Sequence, residues 1–360
     1  MAMTEINAQL QAIVADTNLP FVEIEAGGIS GRHIQFSHRS VAADSTPESQ
    51  QFLVASITKS IVATMALQLV AEGRFGLSER ITNWLPELPG PVFRRITIRH
   101  LLTHTCGLPD QLPGNAKLRA AHADLTEFLV QIAENGTDYT PGADCRYSSM
   151  GYLLLGEIMS RSSGQPLPAL LHSQLFAPVG MNSMLGIPKD RIDLLQAAVP
   201  CVLPPWQTDG TDWDWNSPYW RTLSAPWGGL FASAEDLGRF CRLMLRGGTS
   251  DSGQRVLASA AIDALLQEQT QDLFDLPESV WRKRPWGYGW RFAWPEHTAS
   301  FGDLVPRTAM GHWGATGTIF WLDPQKQIYA VILTATPFEQ SRIALQRMSN
   351  AVTAALSNAA

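Results

Sequence analysis

Cysteine is scarce in this chain, with four in 360 residues: Cys106, Cys145, Cys201 and Cys241. That is too few to staple a chain of this size, and no C-x-x-C spacing offers a zinc or redox pair. All four read as free thiols in a reducing compartment. Basic residues are also short, since 27 Lys and Arg against 33 Asp and Glu give a formal net charge of -6. The chain lacks the clustered cations that nucleic acid or an anionic membrane surface requires, so neither is expected as a partner. Long apolar runs are missing too. The strongest, Ile61 to Ala71, is broken by Gln68 and closed by Glu72-Gly73, short of the ~20 residues of a membrane-spanning helix. Met1 to Ala8 has no basic start followed by an apolar stretch. The expectation is a cytoplasmic protein, or a periplasmic or secreted one if a leader was removed. What remains, at 45% hydrophobic and 17% charged residues, is a globular chain long enough for two domains.

Residues 4 to 16 place Ile6, Leu10, Ile13 and Val14 at helical spacing, and Phe21 to Glu25 alternates like a strand. Gly27-Gly28 predicts a turn, and Ile34 to Ser37 resumes the period of two, which fits an antiparallel hairpin. The far end repeats the pattern: Thr318–Leu322 and Ile328–Leu333 flank a turn at Asp323 to Gln327, and a helix follows over about 340–356. Strands at both ends with helical sequence between them predict an α+β fold, an antiparallel sheet built from both termini and interrupted by a long insertion. The expected division is a sheet domain from 1–79 and 226–360 and a mainly helical domain from 80–225. Helices are expected near 98–102, 125–134 and 151–161. The stretch from Pro204 to Gly229 holds Trp206, Trp213, Trp215, Trp220 and Trp227 without a period that supports either helix or strand.

Ser56-Ile57-Thr58-Lys59 opens a run in which Ile57, Ile61, Met65 and Leu69 recur every four residues, while Val62, Ala66 and Val70 widen the apolar face. The spacing predicts a buried helix starting at Ser56. It puts a hydroxyl and an amine on one face, at an end whose unpaired amides and dipole favour negative charge. Two further segments add to this pair. Tyr147-Ser148-Ser149 follows Pro141-Gly142 and enters an apolar helix, placing a phenol at a helix entrance. His312-Trp313-Gly314-Ala315 leaves one strand and enters the next through glycines that permit close backbone approach.

Together the three segments resemble the serine β-lactamase and penicillin-binding protein superfamily, in particular its class C β-lactamase, DD-peptidase and family VIII esterase branch. Leu101 to Pro109, Gly151 to Ile158 and Gly228 to Ser233 look like segments of the same family, in the same order. The resemblance implies a β-lactamase/transpeptidase-like fold with its site between the two domains. It implies Ser56 as an acylated nucleophile, Lys59 and Tyr147 as its base system, and the amides of Ser56 and Ala315 as an oxyanion hole. Ser149, His312, Trp313 and Gly314 would bind substrate. Neither metal nor organic cofactor is implied, and the expected partner is a small acyl compound.

A serine hydroxyl must lose its proton as it attacks, yet Lys and Tyr are both protonated at pH 7 at their reference values. Either burial makes Lys59 neutral, or a Lys59 cation stabilises a Tyr147 phenolate. Two departures from the family pattern bear on substrate. Ser149 stands where Asn is common and reads an acylamide less well. His312 replaces the lysine of the K-T-G element and attracts a substrate carboxylate less, while Trp313 adds bulk beside the oxyanion hole. The expectation is an esterase for small neutral esters with weak β-lactam turnover. The alternatives are a β-lactamase, a DD-peptidase or D-amino-acid amidase, and a penicillin-binding sensor that fails to deacylate. The tryptophans either line an acyl pocket or pin an irregular loop. His100 and His104 lack the glutamate of a zinc motif and read as structural. Asp209, Asp212 and Asp214 read as a solvated loop.

Overall fold

The computed structural model describes residues 3–40, 51–207, 212–271, 285–292 and 301–357. Its main sheet has six strands in the order β2-β1-β9-β8-β7-β6: β1 is Phe21–Gly28, β2 Gly31–Arg39, β6 Arg291–Phe292, β7 Met310–Gly314, β8 Thr318–Asp323 and β9 Ile328–Thr334. Every pairing in it is antiparallel. Pairing of β1 with β9, Ile24 opposite Ile332, joins the two ends of the chain, as the sequence pattern predicts. Gly27 and Gly28 belong to β1 itself, at a bulge after Ala26, and the turn lies one step later at Ile29-Ser30.

Alternation along the strands supplies both faces of this sheet. Val22, Ile24, Ile319, Trp321 and Ile332 meet Ile6, Leu10, Leu345 and Met348 of the terminal helices Met3–Thr17 and Phe338–Ser357. Phe320, Leu322, Val331 and Leu333 face the opposite way, into a second core with Leu237 and Phe240 of the Ala234–Leu245 helix. A buried ionic network ties that helix to the sheet. Arg242 Nη1 donates to Glu25 Oε1 at 2.8 Å, its Nε and Nη2 donate to Asp251 at 3.0 and 2.7 Å, and the Tyr329 hydroxyl donates to Glu25 at 3.1 Å.

The second core continues through the Thr58–Ala71 helix into Leu101, Phe128, Leu154 and Trp227. Helices Ile98–Leu102, Leu125–Asn135 and Ser149–Ser163 fall where the periodicity puts them. A small second sheet was not legible: β3 (Phe52–Leu53), β5 (Leu230–Ala232) and β4 (Met184–Leu185) pair in the order β3-β5-β4. Within the tryptophan-rich stretch Pro218–Thr222 is helical, because Ser217 caps the Trp220 amide and proline suits the first helical position. Among the described residues no helix is long and apolar enough to cross a membrane.

Candidate active site

Ser56 lies in a 3-10 turn, Ala55–Ile57, that runs into the Thr58–Ala71 helix, so the regular helix starts two residues later than the apolar period suggests. Ala55 turns the chain with a left-handed φ of 47°, a conformation that costs a non-glycine residue roughly 1–3 kcal/mol. Thr58 holds the turn from both sides, donating to the Ala55 carbonyl at 2.6 Å and accepting from the Leu230 amide at 3.0 Å. Lys59 is fully buried one turn on. Its Nζ donates to the Trp227 carbonyl at 2.8 Å and approaches Ser56 Oγ at 3.4 Å. Burial lowers the Lys59 amine to about 7; the carboxylate of Asp110 opposes that shift and the Arg291 cation adds to it.

Tyr147 stands against the other side of the amine, with Lys59 Nζ 4.5 Å from its ring centre. Its hydroxyl is buried without a hydrogen bond of normal geometry and lies beside Ser56. Burial raises the phenol above its usual range and Asp110 raises it further, against smaller opposing effects of Ser56 and Arg291. The segment from His104 to Asp110 holds this tyrosine. His104, at φ 59°, accepts the Ser148 amide on Nδ1 at 3.1 Å, and its ring centre lies 4.7 Å from that of Tyr147. Burial, chiefly, keeps His104 neutral, with Lys59 and Arg291 acting in the same direction. Ser148 caps the next helix by accepting the Gly151 amide at 2.9 Å. Ser149 is not directed at an open site. Its hydroxyl and amide both donate to Asp110 Oδ1, at 2.6 and 3.1 Å.

The β7–β8 connection forms the third side. A Cβ on Gly314 would lie 2.2 Å from the Val54 carbonyl oxygen, so glycine is required where this strand meets the chain entering Ser56. Thr316 and Thr318 bond the Leu53 and Val54 carbonyls at 2.5 and 3.1 Å and fasten the turn that carries Ala315. Ala315 is exposed and its carbonyl accepts the Phe338 amide at 2.9 Å. His312 is buried, with Nδ1 accepting the Trp313 amide at 2.9 Å. Burial first, then Arg291 and Lys59, hold it well below its ordinary value, so the position of the family's lysine is occupied by a neutral ring. The Trp313 ring stacks on Phe338, with centres 4.3 Å apart and planes at 16°, so the terminal helix takes up much of its bulk.

Two residues that the sequence reading missed complete the site. Arg291 on β6 places its guanidinium carbon 4.6 Å from the Trp286 ring centre, 5.2 Å from Trp313 and 5.6 Å from Tyr147. Asp110 is the other. It sits one residue past the segment that carries the family likeness, and its proximity to Ser149 and Lys59 emerges only from the folding of that loop. Of the tryptophans, Trp213, Trp215, Trp220 and Trp227 are buried and Trp206 is 55% exposed. Arg119 lies 4.6 Å from both Trp213 and Trp220, and Trp220 continues toward Trp227 at 6.3 Å. His100 accepts the Thr97 amide in a helix cap. Among the described residues no three His, Cys, Asp or Glu side chains gather to hold a metal ion. Asp212 faces His122 at 3.5 Å, Asp214 accepts the Asn216 amide at 2.6 Å, and Asp209 lies outside the described residues. All four cysteines are buried, and among the described residues none is in a disulfide.

A serine at a helix start, flanked by a buried amine and a buried phenol, on this α+β scaffold defines a class of active-serine hydrolases that handle small acyl compounds. The chain belongs to the beta-lactamase family, whose model matches residues 33–353. It is 31% identical over 309 residues to penicillin-binding protein 4 of Amycolatopsis lactamdurans, a match covering 82% of this chain and 75% of that protein. It is 36% identical over 150 residues to the esterase EstB of Burkholderia gladioli, covering 38% of each. In structure it resembles EstCE1, described as a hydrolase with promiscuous acyltransferase activity. There the TM-score is 0.76 at 18% identity, over 98% of this chain and 99% of the other.

Proposed function

We propose that this protein hydrolyses small carboxylic esters that carry no carboxylate, through an acyl-enzyme on Ser56. The observation that carries the reading is the buried Lys59 amine, drawn down to about 7 and 3.4 Å from the Ser56 hydroxyl. A neutral amine is the base that serine attack requires, and the raised phenol of Tyr147 favours a proton donor over a phenolate. Ser56 Oγ bonds the acyl carbon as its proton passes to Lys59 Nζ. The bond to the leaving oxygen breaks, that oxygen takes a proton from Tyr147, and Lys59 restores it. Water then attacks the acyl carbon, gives up a proton to the same base, and Ser56 leaves with its hydroxyl reformed. An alcohol in place of water makes the step an acyl transfer. The amides of Ser56 and Ala315 receive the oxyanion.

Neutral His312 in place of a lysine supports an uncharged substrate, and the likeness to EstB points the same way. One observation favours a second reading, a peptidase or β-lactamase: the Arg291 guanidinium beside Tyr147 could hold a substrate carboxylate. Kinetics on p-nitrophenyl esters, nitrocefin and a D-Ala-D-Ala peptide, with Ser56→Ala as control, test the choice. Ester hydrolysis that vanishes in Ser56→Ala and exceeds nitrocefin turnover supports the first reading. A preference for nitrocefin or the peptide overturns it, and a stable Ser56 adduct without turnover identifies a sensor.

A further inference from the structure

We infer that Asp110 selects the acyl group, favouring chains that bring a hydrogen-bond donor such as a hydroxyl and disfavouring those that bring a carbonyl. The inference rests on the acyl-enzyme reading of Ser56 and adds its substrate preference. Ser149, the residue of the tyrosine motif that would read an acyl side chain, spends both donors on Asp110 Oδ1 at 2.6 and 3.1 Å. Neither its hydroxyl proton nor its amide is left for a substrate carbonyl. Oδ2 of Asp110 takes no hydrogen bond among the described residues, and the side chain is only partly buried. A carboxylate accepts hydrogen bonds and donates none. Asp110 is tied by Ser149 to the segment that carries Tyr147, and its charge acts on both Lys59 and Tyr147, the pair that flanks Ser56. This wall therefore accepts hydrogen bonds and offers none, where an asparagine would do both. A donor on the acyl chain gains a charge-assisted bond, whereas a carbonyl oxygen meets like charge.

The test compares methyl 3-hydroxybutyrate, methyl butyrate and methyl 3-oxobutyrate, which differ only in the group at the third carbon. Wild-type kcat/KM should fall in that order, with the hydroxy ester at least about tenfold above the oxo ester, as a bond to a charged partner implies. Asp110→Asn keeps an oxygen acceptor for Ser149 and adds a donor, so the hydroxy-to-oxo ratio should collapse toward one. Ser149→Ala leaves the carboxylate in place and should retain the ratio. A wild-type ratio near one, or a ratio that survives Asp110→Asn, overturns the inference, since a merely structural role lowers all three rates alike. If wild type cleaves none of the esters, the ester reading itself fails. Boronic acids bearing the same chains then decide without turnover: the hydroxylated one must bind wild type about tenfold tighter than the oxo one, and Asp110→Asn must bind the two alike.

Discussion

Lys59 donates to the Trp227 carbonyl at 2.8 Å, a shorter contact than its 3.4 Å approach to Ser56. One N–H is thereby fixed away from the nucleophile, and a neutral amine keeps its lone pair for the serine proton. Because the base must be unprotonated, kcat/KM should rise with pH through a limb near the Lys59 value of about 7. The charges around it set the sign of each shift. Asp110 raises the amine, so Asp110→Asn should move the limb to lower pH; Arg291 lowers it, so Arg291→Gln should move the limb to higher pH. A pH-stat assay on a methyl ester reads all three, and a limb indifferent to both substitutions would remove Lys59 from the role of base.

Tyr147 is raised by burial and by Asp110, which suits a phenol that gives its proton to a departing alkoxide. Its loss should then depend on the leaving group. Tyr147→Phe should slow methyl esters by about 100-fold or more, a usual range for general acid catalysis, and p-nitrophenyl esters much less, because p-nitrophenolate departs unprotonated. Equal losses on both substrates would mean that the phenol acts on the attacking serine instead.

The sequence makes Ser56 and Lys59 legible because one helical turn joins them, and the sheet legible because both ends of the chain alternate. Tyr147 and His312 are found through neighbouring motifs, although that they surround the amine is a tertiary fact. Asp110 has no such signal. It reaches Ser149 because left-handed backbone at His104 and Gly107 (φ 59° and 85°) folds the loop back on itself, and no periodicity records that. Arg291 lies on β6, directly after Trp286-Gly287-Tyr288-Gly289-Trp290, where no motif marks it. The strands of the small sheet, of two and three residues, are too short for an alternating pattern to show.

Gly314 brings β7 against the chain entering Ser56 so closely that a Cβ would sit 2.2 Å from the Val54 oxygen, a backbone atom that cannot swing aside. Gly314→Ala should displace Ala315 from Ser56. The expected result is a loss of kcat of about 100-fold, the usual effect of removing one oxyanion donor, with Lys59 and its pH limb unchanged. Kinetics alongside a thermal melt separate this from unfolding: a folded variant with normal kcat would show that the close approach does not position the hole.

Far from this cleft, Arg242 is 8% exposed and its partner Glu25 2% exposed, so the pair is buried between sheet and helix. Removing Arg242 leaves the buried Glu25 carboxylate with only the Tyr329 hydroxyl and the more exposed Arg32 at 3.6 Å, whereas removing both partners leaves no such charge. Arg242→Leu should cost about 3–5 kcal/mol by urea titration, the range for breaking buried pairs, with ester kinetics of the folded fraction unchanged. The double variant Arg242→Leu/Glu25→Leu should recover part of that loss. If the two single losses simply add, Glu25 and Arg242 do not depend on each other, and the tie between β1 and the helix lies in the apolar contacts around them.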